Sequence, residues 1–303
     1  MRPVLIAAMA AALLGPSVSQ AQQTPSPATK TDDTAVSGVT VTAPRDLELK
    51  KKTFPSVVET FVESHEVDGP HGALTRWMTG LCPAVEGLSP DFNAFVYHRL
   101  LEVADEVGVP KPRPGDCKHS NVLVVFTTAA DRFMIDIREH HPLLLGYHFP
   151  SDTKKLAAFE PPLKAWRITA TNGLIDNPEI PAHGGPASHN DSGLNSEFVF
   201  ALVVVDPSTL ADQPIGRIAD DIAEQVVSNP GARHGCASLP SILDSLDPAC
   251  PASSALETLS DYDKALLKGL YHSNPETRVQ YQRSTMRQQI LQETRPPAGD
   301  GGG

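Results

Sequence analysis

Beyond residue 21 the chain has no apolar run near the roughly 20 residues that a membrane-spanning helix needs. A second span is therefore not expected. Also missing are a Gly-x-Ser-x-Gly nucleophile elbow, a phosphate-cradling Gly-x-x-x-x-Gly-Lys, a dinucleotide fingerprint and an EF-hand loop. The familiar elbow hydrolases, phosphate-loop enzymes and calcium sensors lose their usual support, although a catalytic set scattered along the chain leaves no such mark. No internal repeat of 20 to 50 residues is present, which argues against solenoids and propellers. Basic stripes are scarce: the formal charge is -11, and nucleic acid or anionic lipid would demand the opposite sign. Cysteine is sparse, with four residues, no Cys-x-x-Cys redox pair and none placed to carry a lipid at a cleavage site.

What is present begins with a compartment signal. Arg2 precedes an apolar run from Val4 to Leu14, then Gly15-Pro16 and a small-residue exit at Ser19-Gln20-Ala21. Residues 1–21 read as a secretory signal peptide, and the product is expected in the periplasm or outside the cell. Arg2 leaves with it, taking the charge from -11 to -12. Residues 22–46 are rich in Thr, Pro, Gln and Asp and read as a disordered linker. Within it, Gly38-Val-Thr-Val-Thr-Ala-Pro-Arg45 is similar to the short segment by which outer-membrane receptors engage an inner-membrane energiser. That likeness implies docking through Val39 to Thr42. The rest of the chain lacks the many alternating strands of a barrel, and a β-prone linker or a docked edge strand is the plain alternative.

Residues 47–294 are expected to form one α+β domain, with possible halves 47–171 and 195–294 joined by a loop over 172–194, and 295–303 a disordered tail. The centre is the run Phe198-Val-Phe-Ala-Leu-Val-Val-Val205, too continuous for a strand with one wet face and stopped by Asp206-Pro207. Companion strands are predicted at Trp77 to Val85, at Val122 to Phe126, at Lys164 to Ala170 and, as strand or extended loop, at Leu143 to Phe149. Along Lys164 to Ala170, Trp166 and Ile168 alternate with Arg167 and Thr169, which suits one wet side. Helices are predicted from Phe54, from Pro90 to a Gly108 stop, over Asp131 to His141, over Gly216 to Val227, from a Ser260 capping box and from Asn274. The apolar stripe of the second includes Phe92, Phe95, Val96 and Leu100. The sum is a mixed β-sheet covered by helices with a helical C-terminal third.

Four cysteines in an exported chain most simply form two disulfides, and three pairings are possible. Sequence locality favours Cys82 with Cys117 and Cys236 with Cys250, and a catalytic thiol at Cys236 beside His234 is the alternative. Candidate ligands fall into two sets. Asp220 and Glu224 share a helix face at i and i+4: they read as a solvated face opposite Ile218, Ile222 and Val226, or as a pair that holds Ca²⁺ or Mg²⁺. His140, His141 and His148, with His183, His189 and Asp191 in the long loop, form a dispersed imidazole set that could converge on Zn²⁺.

Ile218-Ala-Asp-Asp-Ile-Ala-Glu-Gln-Val-Val227, Leu259-Ser-Asp-Tyr-Asp-Lys-Ala-Leu-Leu-Lys-Gly-Leu-Tyr271, and Cys82-Pro-x-x-x-Gly87 with Cys117 and Val124-Val-Phe126 together resemble a group of uncharacterised exported proteins of Gram-negative bacteria. That group looks distantly like zincin metalloproteases lacking the His-Glu-x-x-His motif. The resemblance implies a zincin-like frame in which the helix that would carry zinc holds Asp220, Asp221 and Glu224 and no histidine. A noncatalytic binding or interaction module with no cofactor, acting on a protein or small-molecule partner, is the expected function; a divergent metal-dependent hydrolase is the alternative.

Overall fold

The computed structural model describes residues 53–66, 72, 74–146, 150–173, 194–231 and 235–294. The presumed leader, the linker with Val39 to Thr42, and the C-terminal tail lie outside these residues.

A five-stranded sheet forms around the apolar run expected to be central. Strand β5, Leu194–Val205, pairs along its whole length with the antiparallel strand β4, Leu163–Gly173. Its other edge is shared. Strand β1, Thr75–Arg76, lies parallel beside Ser196 and Glu197, while β3, Val122–Phe126, lies parallel beside Ala201 to Val205. Strand β2, Pro83–Glu86, extends the sheet beyond β3. The pairing Gly173↔Leu194 carries β4 and β5 several residues into what composition suggested was loop.

Unbroken hydrophobicity in β5 is explained by burial on two faces. Ala201, Val203 and Val205 point into the main core, whereas Leu202 and Val204 point into a smaller one with Trp166. Two helices cover the first face: α2, Pro90–Val107, and α5, Ile215–Val227. The second face is covered by α3, Ala130–His140, through Ala130, Met134 and Ile137. Near it lies the short α4, Pro150–Leu156. A third cluster joins α1, Phe54–His65, to α6, Asp261–His272, and α7, Val279–Glu293. Helix α6 links two clusters, because Leu267 faces the main core while Leu266 and Leu270 face α1 and α7.

Local chemistry sets the helix ends. Pro90 and Asp91 open α2, and Gly108 closes it at φ +92°, its N–H reaching Ala104 O and Asp105 O. Ser260 Oγ accepts from Asp263 N–H at 3.0 Å and Asp263 Oδ2 accepts from Ser260 N–H at 2.9 Å, the reciprocal box that starts α6. Asn121, unremarked in the sequence, pins the entry to β3: its Oδ1 accepts from Cys82 N–H at 2.7 Å and its Nδ2 donates to Gly80 O at 2.9 Å. Beside it the Cys82–Cys117 disulfide spans α2, and Cys236–Cys250 closes the second predicted bridge.

Several expectations need correction. Trp77 is in no strand; its Nε1 donates to Val226 O at 2.8 Å and its ring packs 5.6 Å from Phe198. Pro142–Leu145 is a 3₁₀ turn rather than a strand start, because Pro142 opens a turn that Gly146 ends at positive φ. The last helix begins at Val279, since Asn274 forms a turn first, Oδ1 accepting from Glu276 N–H. Phe92 and Phe95 are 52% and 43% exposed, so the buried stripe of α2 starts at Val96. No helix among the described residues is long and apolar enough to cross a membrane.

The α6–α7 crossing depends on a missing side chain. A Cβ on Gly269 would sit 2.6 Å from Met286 Cα, a backbone atom with little freedom to retreat. Gly269→Ala is expected to lower unfolding stability by about 2 kcal/mol or more in urea titration, whereas an alanine at the open Gly216 should stay within about 1 kcal/mol.

Candidate functional site

Helix α5 follows β5, and its environment differs from the one its sequence suggested. Asp220, Asp221 and Glu224 are all buried, at 1%, 2% and 0% exposure. A polar face was expected to meet water. It is covered instead by α2, by the 236–260 segment and by the start of α6.

Each carboxylate has its own surroundings. Asp220 receives Arg99 from α2, Nε to Oδ1 at 2.5 Å and Nη2 to Oδ2 at 3.1 Å. Thr258 Oγ1 at 2.5 Å and Leu259 N–H at 2.9 Å also donate to Oδ2. This set of charge-assisted bonds holds the Arg99 guanidinium above its usual range, chiefly through the hydrogen bond to Asp220. Asp221 Oδ1 accepts from Gln225 Nε2 at 2.7 Å. Glu224 lies with His65 and Asp263 instead, their ligating atoms all within 4.8 Å of one another. Asp220 and Glu224 are thus not assembled into the exposed calcium or magnesium pair that their spacing allowed.

His65, in the last turn of α1, was missed by sequence reading. A histidine there looks like an ordinary partner for the helix C-terminus. In the structure it is fully buried, Nδ1 lying 2.9 Å from Phe61 O and Nε2 3.1 Å from Ser241 Oγ. A carbonyl only accepts, so Nδ1 carries a proton. Asp263, besides capping α6, accepts from Ile242 N–H at 2.9 Å. Burial pushes its carboxyl up to about 6 against the bonds from Ile242 and Ser260.

The neighbouring residue faces a second polar cluster. Glu66 is fully buried, its Oε1 accepting from Asn229 N–H at 3.4 Å and its backbone carbonyl from Arg283 Nη2 at 2.7 Å. Desolvation pushes its carboxyl up to about 8 and outweighs the field of Arg76, Arg167 and Arg283. Arg76 donates to Ser273 O at 2.8 Å, to Leu270 O and to Gln282 Oε1. Arg167 of β4 donates from Nε to Gln225 O at 2.8 Å, so the side of β4 expected to be wet is partly covered by the end of α5. Burial lowers both guanidiniums to about 10. Tyr271 Oη donates to Val227 O at 2.7 Å, and burial drives its phenol far up.

The imidazole set of the sequence is only partly visible. His140 is exposed and pairs with Asp136 at 2.9 Å, and His141 is exposed beside it. His148, His183, His189, Asp191 and His234 lie outside the described residues. Cys236 has its sulfur in a disulfide, which rules out the thiol role.

The residues of α5 do not fit a protease zinc: no imidazole stands on the helix, and Asp220 is already saturated by Arg99, Thr258 and Leu259. No family model, curated protein or solved structure matches the chain.

Two measurements probe these clusters. Asp220→Ala should lower stability by about 2 kcal/mol in urea titration, because it leaves the buried Leu259 N–H without its acceptor and removes one of the two carboxylates that Arg99 bonds. Glu66 keeps its proton when folded from its ordinary 4.5 up to about 8, a range in which the unfolded chain has lost it. Stability contributed by that proton therefore declines as pH rises through the window. Glu66→Gln is expected to flatten the fall of Tm between pH 5 and pH 9; an unchanged slope would show that Glu66 is ionised throughout.

Proposed function

We propose that this chain is a noncatalytic exported protein, a binding or interaction module on a zincin-like frame without protease chemistry. The observation that carries this reading is the inward fate of α5: all three of its carboxylates are buried among the protein's own groups. Topology supports the frame. An antiparallel edge strand lies beside the last parallel strand, a helix follows that strand, and the Leu259 to Tyr271 stretch packs beneath it through Leu259 N–H to Asp220 and Tyr271 Oη to Val227 O. Export to the periplasm is supported by the leader-like first 21 residues and by two disulfides, which persist in oxidising compartments. The partner is a protein or a small molecule, recognised through surfaces outside the buried helix.

Residues 22–303, produced with oxidised cysteines, test this directly. Incubation with casein and with a mixed peptide library, with and without added Zn²⁺, is expected to give no cleavage above the blank by mass spectrometry. Cleavage that disappears when His183 or His189 is replaced by alanine would overturn the proposal in favour of a divergent metal-dependent hydrolase.

A further inference from the structure

The buried trio of His65, Glu224 and Asp263 has a use that goes beyond the noncatalytic reading. We infer that it is a structural metal site, in which one divalent ion of the zinc type is held by His65 Nε2 and the two carboxylates, tying α1 to α5 and α6.

Three observations point there. The three residues come from three helices, all are 0% exposed, and their ligating atoms lie within 4.8 Å of one another. His65 is oriented as metal-binding histidines are: Nδ1 gives its proton to a backbone carbonyl, that of Phe61, so that Nε2, beside Ser241 Oγ at 3.1 Å, is the nitrogen that would ligate the ion. Asp263 Oδ2 is engaged by backbone N–H groups, whereas its Oδ1 is buried with no hydrogen-bond partner among the described residues. That oxygen is the one Asp263 has to offer an ion, since Oδ2 is held by backbone.

Charge and size select the ion. Two carboxylates among three buried ligands favour a dication over a monovalent ion. Ca²⁺ takes six to eight oxygens and Mg²⁺ usually keeps several waters, and neither suits a dry mixed nitrogen and oxygen set. Zn²⁺ takes four ligands with bonds near 2.0 Å, so neighbouring ligands stand about 3.3 Å apart. Ser241 Oγ, 3.1 Å from His65 Nε2, is placed for the fourth corner. With all four positions taken by protein, no substrate or water position remains, and the ion acts on stability alone. The other group with metal-ligand residues, Cys236, Asp244 and Cys250, is excluded by its disulfide and by Ala237 N–H bonding both Asp244 oxygens.

The test uses residues 22–303 unfolded in urea with a chelator, the disulfides kept intact, then refolded with or without Zn²⁺ or Co²⁺. Elemental analysis is expected to find one Zn²⁺ per chain that survives dialysis of the folded protein, together with a Tm several degrees higher than in the metal-free preparation. The Co²⁺ form should show the visible absorption of a four-coordinate site. Glu224→Gln and Asp263→Asn should lose the metal at least tenfold, while His183→Ala with His189→Ala should keep it. Absence of stoichiometric metal and of the cobalt bands in the unmodified chain would overturn the site, even if the variants fail to fold. Metal lost only on His183 and His189 substitution would overturn it too, by moving the ion to the long loop.

Discussion

The constraint on which the structure turns is the enclosure of α5. A helix packed beneath a sheet on one side and wrapped by α2 and the 236–260 segment on the other has no outward face for charge. Its carboxylates must then be matched inside the protein, because an unmatched buried charge costs several kcal/mol. Asp220 is matched by Arg99, Thr258 and Leu259, and this arrangement draws α2 and the approach to α6 onto the helix at one point. Burial of the apolar side, through Ile218, Ile222 and Val226, supplies the drive, while the polar side sets the register.

Much of the architecture could be read from the chain because its signals are local. The unbroken Phe198 to Val205 run, the Gly108 stop, the Ser260 box and the short-range cysteine spacing each express chemistry within a few residues, and each has its counterpart in the structure. Strand ends were less legible. The extension of β4 to Gly173 and β5 to Leu194 relies on mutual pairing, not on propensity.

The candidate site was hardly legible at all. Asp220 and Glu224 looked like a solvated pair because amphipathic spacing reports which side is apolar, not what later covers the other side. Burial of that second side comes from segments more than thirty residues away, such as Leu259 and Asp263. His65 and Ser241 are brought together across 176 residues of chain, and neither stands in a motif. Arg167 was assigned to a wet face by alternation alone, whereas the carbonyl of Gln225 reaches across to it.

His65 and Glu66 occupy successive positions at the end of α1, yet one belongs to the Glu224 and Asp263 group and the other to the arginine cluster. A single peptide link thereby fastens the amino-terminal helix into two separate ionic chambers. Detaching that helix would flood both together, leaving no half-released state of low energy. The first helix behaves as a keystone: seated, it closes the interior on two sides in one movement, and its departure would be abrupt rather than gradual.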